Sequence, residues 1–277
     1  MTQKERLEEI RKKHEDERRR QQIIRHRVIL GLAAAAALLL IIMIVIGSVR
    51  AISTAIENHR AERERQAAQQ LIDEQAEPTP SYTINPTVIS QEYYDQSAFI
   101  GNSFVDDLYL CDLLKNADYF AKTGLTVDDA MTESTSTGNV PVIDELNSGK
   151  KYKKIFMVFG ENELGWISGE SFIEQYGDLI DKAKKYQPQS EIYLLGITPV
   201  TKTASDENID NTNNDQIRVY NELIKQLAIE KNATYADIYK AVADKDGNLP
   251  AGAATDGVHF GKEYYEKCLL YIQNNYQ

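Results

Sequence analysis

From Val28 to Val49 the chain runs 22 residues without a charged side chain, and most of that run reads VILGLAAAAALLLIIMIVIG. At about 1.5 Å of rise per residue a helix of this length reaches roughly 33 Å, enough to cross a hydrocarbon core of about 30 Å. A buried soluble helix fits poorly with a surface that is apolar on every side and bracketed by Arg25, Arg27 and Arg50. A cleaved signal peptide is the nearer rival. Its basic leader is usually short and its apolar core about 7–15 residues, and here both are longer. The run is therefore expected to be an uncleaved single-pass transmembrane helix.

Charge around the span sets its direction. Residues 1–27 carry ten Lys/Arg against six Asp/Glu, while Arg50, Arg60, Arg63 and Arg65 follow the span. The excess before it predicts a cytoplasmic N-terminus and an extracytoplasmic C-terminal domain at the cell membrane, and the later arginines weaken the bias. The formal net charge is −11, so removing the local +4 of residues 1–27 leaves −15 on the remainder. A domain that acidic is a poor partner for nucleic acid or anionic lipid. Four segments are expected: a charged cytoplasmic segment at 1–27, the transmembrane helix at 28–49, a helical stalk with a Pro-containing linker at 50–89, and a globular domain at 90–277. The stalk lacks Pro and Gly from Arg50 to Glu77, and Pro78, Pro80 and Pro86 end it. Ile52 and Ile56 hint at self-association through the stalk, but the stripe is too short to define a coiled coil.

Beyond about residue 96, short apolar runs alternate with amphipathic stretches. Strands are predicted at Ser97–Ile100, Tyr119–Lys122, Ile155–Phe159, Ile192–Gly196 and Thr234–Ile238, and helices near 104–116, 170–186, 215–231 and 261–274. Such alternation argues for a parallel sheet covered on both faces, with a site at the carboxyl ends of the strands. Residues 201–216 (TKTASDENIDNTNNDQ) are polar and turn-rich and read as a mobile loop.

Four short segments fall where chemistry would sit. In FIGNSFVDDL, Gly101 and Asn102 lead from a strand to Ser103 at a helix start, where the first amide groups favour negative charge. A serine there is more often only a helix cap. TDGVHF places Asp256 three residues before His259, so one loop can supply a base and the carboxylate that orients it. The other histidines, His14, His26 and His59, lie in the anchor and stalk segments, which leaves His259 as the domain's only imidazole. In MVFGENELG, Gly160 permits a tight turn and Asn162 can aim an amide at a developing oxyanion. In KTGLTV, the Gly124 amide is a further candidate donor. No metal-ligand cluster, phosphate loop or dinucleotide fingerprint is present, so neither a metal nor a cofactor is expected.

Taken in order over roughly residues 96–275, these segments resemble the four blocks of the SGNH hydrolases, the GDSL-like esterases and lipases. Thr198-Pro199-Val200 after the fourth strand and Tyr220-Asn221 in the next helix extend the match. The resemblance implies an α/β fold, a flavodoxin-like three-layer α/β/α domain with a parallel sheet. It implies Ser103 as nucleophile, His259 as general base and then acid, and Asp256 as its orienter. The Ser103 and Gly124 amides and the Asn162 side chain would form the oxyanion hole, with Gly101, Asn102 and Gly160 as supporting turn residues. Two departures stand out: Gly-Asn-Ser replaces the usual Gly-Asp-Ser, and Asn162-Glu163 replaces Asn-Asp.

The function expected from this is a membrane-anchored extracytoplasmic serine esterase cleaving short-chain O-acyl esters on cell-envelope carbohydrate, an acylated polysaccharide among them. Rivals are an O-acyltransferase or lysophospholipase with the same triad, and an inactive envelope binding or scaffold module. Cys111 and Cys268 fall in the first and last helices of the domain. If the fold is flavodoxin-like the two share a face, which leaves a disulfide and two buried thiols equally open.

Overall fold

The computed structural model describes residues 87–166 and 168–276. The charged segment at 1–27, the membrane span at 28–49 and all but the last residues of the 50–89 stalk and linker lie outside them. Among the described residues, no helix is long and apolar enough to cross a membrane.

Five parallel strands form one sheet in the order β2-β1-β3-β4-β5, with β1 at Ser97–Gly101, β2 at Ala117–Ala121, β3 at Lys154–Val158, β4 at Glu191–Leu195 and β5 at Thr234–Ala236. Parallel strands need crossovers, and α1 (Ser103–Leu110), α2 (Gly169–Tyr186) and α4 (Asn214–Glu230) lie in three of the four; α6 (Lys262–Asn275) follows β5, and shorter helices are α3 (Lys202–Glu207) and α5 (Tyr239–Val242). The strand order reverses between β1 and β3, and the carboxyl ends of these two strands flank the crevice where ligands bind in open α/β sheets.

Side chains alternate cleanly between the faces. Ala98, Ile100, Ile155, Met157, Ile192 and Leu194 point to one side, where α2 and α4 cover them with Phe172, Tyr176, Leu179, Ile217 and Ile224. Phe99, Phe156, Val158, Tyr193 and Leu195 point to the other, against α1 and α6. On that second face the rings run in a row: Tyr119 on Phe99 at 5.6 Å, Phe99 on Phe156 at 4.6 Å, Phe156 on Tyr193 at 4.9 Å. Such pairs add roughly 0.5–1.5 kcal/mol each beyond the area they bury. Cys268 is buried in this cluster, Cys111 packs against it, and both thiols are free.

The sequence reading of the elements is corrected at several points, among them the fifth strand, which ends at Ala236 rather than Ile238. The first helix stops at Leu110, short of 116, because Asp112 adopts φ +50° and Gln91 takes up the Lys115 N–H and, through Nε2, the Leu113 carbonyl, both at 2.9 Å. No glycine or proline marks that stop. The second strand begins at Ala117, two residues earlier than expected, in register with Ser97 of β1. The segment 201–216 is not a plain loop: Thr201 caps α3 by accepting the Ala204 N–H, and Asn214 binds both the N–H and the carbonyl of Val200 at 2.9 Å.

Candidate active site

Ser103 is the first residue of α1, directly beyond the end of β1. The chain passes so close to β3 there that a Cβ on Gly101 would lie 2.4 Å from the Val158 carbonyl oxygen. Only glycine fits that crossing. Asn102 follows as helix cap, its Oδ1 accepting the Phe104 N–H at 3.1 Å, so the amide does the local work of the expected aspartate without charge. The cap leaves the Ser103 N–H with no partner among the described residues, at the positive end of the helix.

The second component arrives from the far end of the chain. A bridge between Ala254 and Phe260 closes a tight turn that holds Asp256 and His259. Asp256 Oδ1 accepts the N–H groups of Val258 and His259, both at 2.9 Å, while Oδ2 takes the His259 Nδ1 proton at 2.7 Å. That bond fixes the tautomer, leaving Nε2 free to accept, and Nε2 stands 3.2 Å from Ser103 Oγ. The turn is latched to the segment after β4. Thr201 N–H donates to the Gly257 carbonyl at 2.9 Å, and a Cβ on Gly257 (φ +83°) would meet Thr201 Oγ1 and the Ala204 side chain at 2.7 Å. Rings beside Ser103 and His259 interlock as well: Phe104 meets Phe260 at 6.1 Å, and both pack on Tyr265 at 5.0 and 4.7 Å.

Burial works against the Asp256 charge, but the His259 ring and the two N–H groups outweigh it and hold the carboxyl at about 2. For His259, burial favours the neutral ring. The Asp256 hydrogen bond and the negative charges of Glu161, Asp256 and Asp107 reverse that and raise its pKa above the ordinary value. The ring and carboxylate are half exposed, at 46% and 53%, whereas Ser103 is 7% exposed. Glu161 itself, beside Asn162 after β3, has its pKa raised by burial and by the Asp256 and Asp107 charges, with His259 pulling the other way.

The remaining expected residues line the same end of the sheet. Gly124 is exposed at φ +78° in the turn after β2, and its N–H has no partner among the described residues. Gly160 turns at φ +117° after β3. Asn162 donates one Nδ2 hydrogen to the Leu125 carbonyl at 2.9 Å, which ties its side chain to the Gly124 turn and leaves the second hydrogen unspent. Sequence reasoning missed Glu161 as an electrostatic neighbour of the histidine; its position directly before Asn162 was the available signal. It also missed the Phe104–Phe260 contact, although each phenylalanine directly follows a candidate catalytic residue. Among the described residues, no group of three or more His, Cys, Asp or Glu side chains is placed to hold a metal ion.

The fold and the sequence can be set beside known proteins. The sequence profile of the GDSL-like Lipase/Acylhydrolase family matches residues 99–267. Comparison with curated proteins gives no match. Among solved structures, a protein described as a platelet activating factor from Streptococcus pneumonia superposes with a TM-score of 0.53 at 18% identity, covering 81% of this chain and 98% of its own. A protein described as an SGNH hydrolase from Slackia heliotrinireducens gives 0.50 at 16% identity, covering 66% of this chain and 99% of its own. The five-stranded parallel sheet and its helices are those of the SGNH hydrolases. With more than half of its length matched by the family profile, the chain belongs to the GDSL-like lipase/acylhydrolase family and is a hydrolase acting on esters.

Proposed function

We propose that the protein is a serine esterase that removes short acyl groups from hydroxyl-rich alcohols such as envelope sugars, with Ser103, His259 and Asp256 as its triad. The carrying observation is the unbroken relay from Ser103 Oγ to His259 Nε2 at 3.2 Å and from His259 Nδ1 to Asp256 Oδ2 at 2.7 Å. In this reaction His259 Nε2 takes the Ser103 proton as Oγ adds to the ester carbonyl, and Asp256 stabilises the imidazolium that forms. The Ser103 and Gly124 N–H groups and the free Asn162 hydrogen hold the oxyanion. His259 then passes its proton to the departing alcohol, leaving an acyl-serine. Water, deprotonated by the same ring, adds to the acyl carbonyl, and as the bond to Ser103 Oγ breaks His259 returns the proton to that oxygen and the acid leaves.

The substrate class rests on the surface beside the triad. A groove of about 560 Å³ runs along Asp256 and Gly257 and is lined by Thr201, Lys202, Thr203, Glu207, Asp244 and Asn248. Hydroxyls, an amide and charges of both signs suit a hydrated polyol better than a long acyl chain. The uncharged run at 28–49 is read as an anchor holding the enzyme at the outer membrane face; digestion of the domain by protease added to intact cells is the matching result, and protection of the domain with loss of residues 1–27 reverses the topology.

The activity is tested by treating full-length protein with a fluorophosphonate probe. Labelling of the parent with none on Ser103→Ala is the expected result. No labelling of folded parent protein would overturn the triad, and labelling unchanged in Ser103→Ala would move the nucleophile elsewhere.

A further inference from the structure

Two separate segments must hold their donors still for the proposed oxyanion hole: the turn after β2 that carries Gly124, and the turn after β3 that carries Asn162. One side chain joins them. Glu163 is fully buried, at 0% exposure, and its carboxylate accepts the Val127 N–H on Oε1 at 2.8 Å and the Gly160 N–H on Oε2 at 2.9 Å. Its own carbonyl accepts the Tyr220 hydroxyl of α4 at 2.8 Å, which anchors the clamp to the body of the domain. Asn162 then reaches across to the Leu125 carbonyl at 2.9 Å. Gly124 and Asn162 thus each sit within three residues of an atom that Glu163 grips.

We propose that Glu163 is a positioning residue whose carboxylate sets the spacing of the oxyanion donors without touching the substrate. The inference rests on the assignment of Gly124 and Asn162 as those donors. A carboxylate suits this task because it only accepts, so both oxygens can face an N–H. An amide must turn its NH2 against one of the two N–H groups, and a carboxylic acid adds a buried O–H that needs an acceptor of its own, so either replacement is costly. The choice between those states falls near neutral pH. Burial pushes the Glu163 carboxyl up to about 7, against the pull of the Val127 and Gly160 N–H groups. Glu161 on the same turn raises it further by like charge, and Tyr176 from α2 is the titratable group that feels Glu163 in turn. From the β2 turn the Val127 N–H meets it, and from α4 the Tyr220 hydroxyl meets its main-chain carbonyl.

The test compares full-length parent, Glu163→Gln, Glu163→Asp and Asn162→Ala with a soluble acetyl ester. Glu163→Gln is expected to lower kcat roughly 10- to 100-fold, less than the 10²–10³ of a lost donor, with KM within about twofold. Glu163→Asp, which keeps the charge, is expected to recover most of that loss. The acidic limb of kcat against pH should fall with two protonations in the parent and one in Glu163→Gln, which a purely structural defect would not produce. Should Glu163→Gln fail to fold, the parent still decides: the Val127 and Gly160 amide proton signals must titrate together near neutrality. An unchanged kcat in folded Glu163→Gln, or amide signals that do not titrate, overturns the positioning role. A normal kcat in Asn162→Ala overturns the oxyanion assignment beneath it instead.

Discussion

The two faces of the sheet are built from different side chains and serve different halves of the site. The face under α2 and α4 is mainly aliphatic on its strands, and its cluster extends through Leu125, Val127, Phe159 and Leu164, the residues around the two donor-bearing turns. The face under α1 and α6 is aromatic, and its cluster includes Phe104 and Phe260, the neighbours of Ser103 and His259. In the proposed reaction one core carries the Gly124 and Asn162 donors and the other carries the proton relay. Each half is registered by its own packing, and the proposed reaction takes place where the two meet. The difference teaches that a site drawn from residues 101 to 259 does not need one continuous scaffold. It needs two, aligned across a shared sheet.

The comparison can be broken at several points. The largest effect belongs to His259→Ala, which removes the base and is expected to lower kcat on the order of 10⁴- to 10⁶-fold. Because the ring is half exposed, the melting temperature should stay close to that of the parent. Turnover within tenfold of the parent would dissolve the relay. Next is Phe260→Ala, which empties a buried position shared with Phe104 and Tyr265 and is expected to cost about 3–5 kcal/mol in urea unfolding. It should also lower kcat, since it loosens the serine and the histidine together. Leu179→Ala, a fully buried change in α2, is the matching cut on the other face, at about 2–5 kcal/mol. Its kcat, measured where the variant is folded, should fall through the oxyanion side while the pH midpoint set by His259 stays that of the parent; a shifted midpoint would erase the division of labour.

The smallest effect sharpens the picture electrostatically. In the proposed reaction His259 acts only when neutral, and the Glu161 charge favours the protonated ring, so kcat/KM in the parent should fall as pH drops through a midpoint above the ordinary 6.5. Glu161→Gln removes that charge and should move the midpoint to lower pH. An unmoved midpoint would mean that Glu161 lies too far from the ring to act on it. The stability linkage has the opposite sense for Asp256. Its folded pKa is depressed, so its contribution is present above the unfolded value near 3.8 and is lost as pH falls towards 2. The melting-temperature difference between parent and Asp256→Asn should close over that window.

What the sequence disclosed was local. The three central strands are largely apolar runs followed by a glycine turn, and Asp256-Gly257-Val258-His259 carries its geometry within four residues. Those features obey periodicity and spacing, so they could be read directly. The stop of α1 at Leu110 could not, because Asp112 supplies the positive φ that glycine usually signals. Helix α3 was hidden because its residues are polar and its support comes from Thr201 and Asn214 rather than from an apolar stripe. Glu163 read as a mere replacement of one acid by another. Its partner Val127 lies 36 positions earlier, and only the folded chain brings the two together.

The half-open setting of His259 and Asp256 has a consequence for the fate of the acyl group. In the proposed two-step reaction the acyl-serine waits beside a base that solvent reaches without any cover having to move. Whatever nucleophile arrives first at Nε2 is activated there, and water holds the advantage through sheer abundance. Adding a small alcohol at molar strength should divert acyl groups into a new ester in proportion to its share of the molecules at the mouth. The line between cleaving and transferring an acyl group is then drawn by the composition of the surroundings as much as by the enzyme.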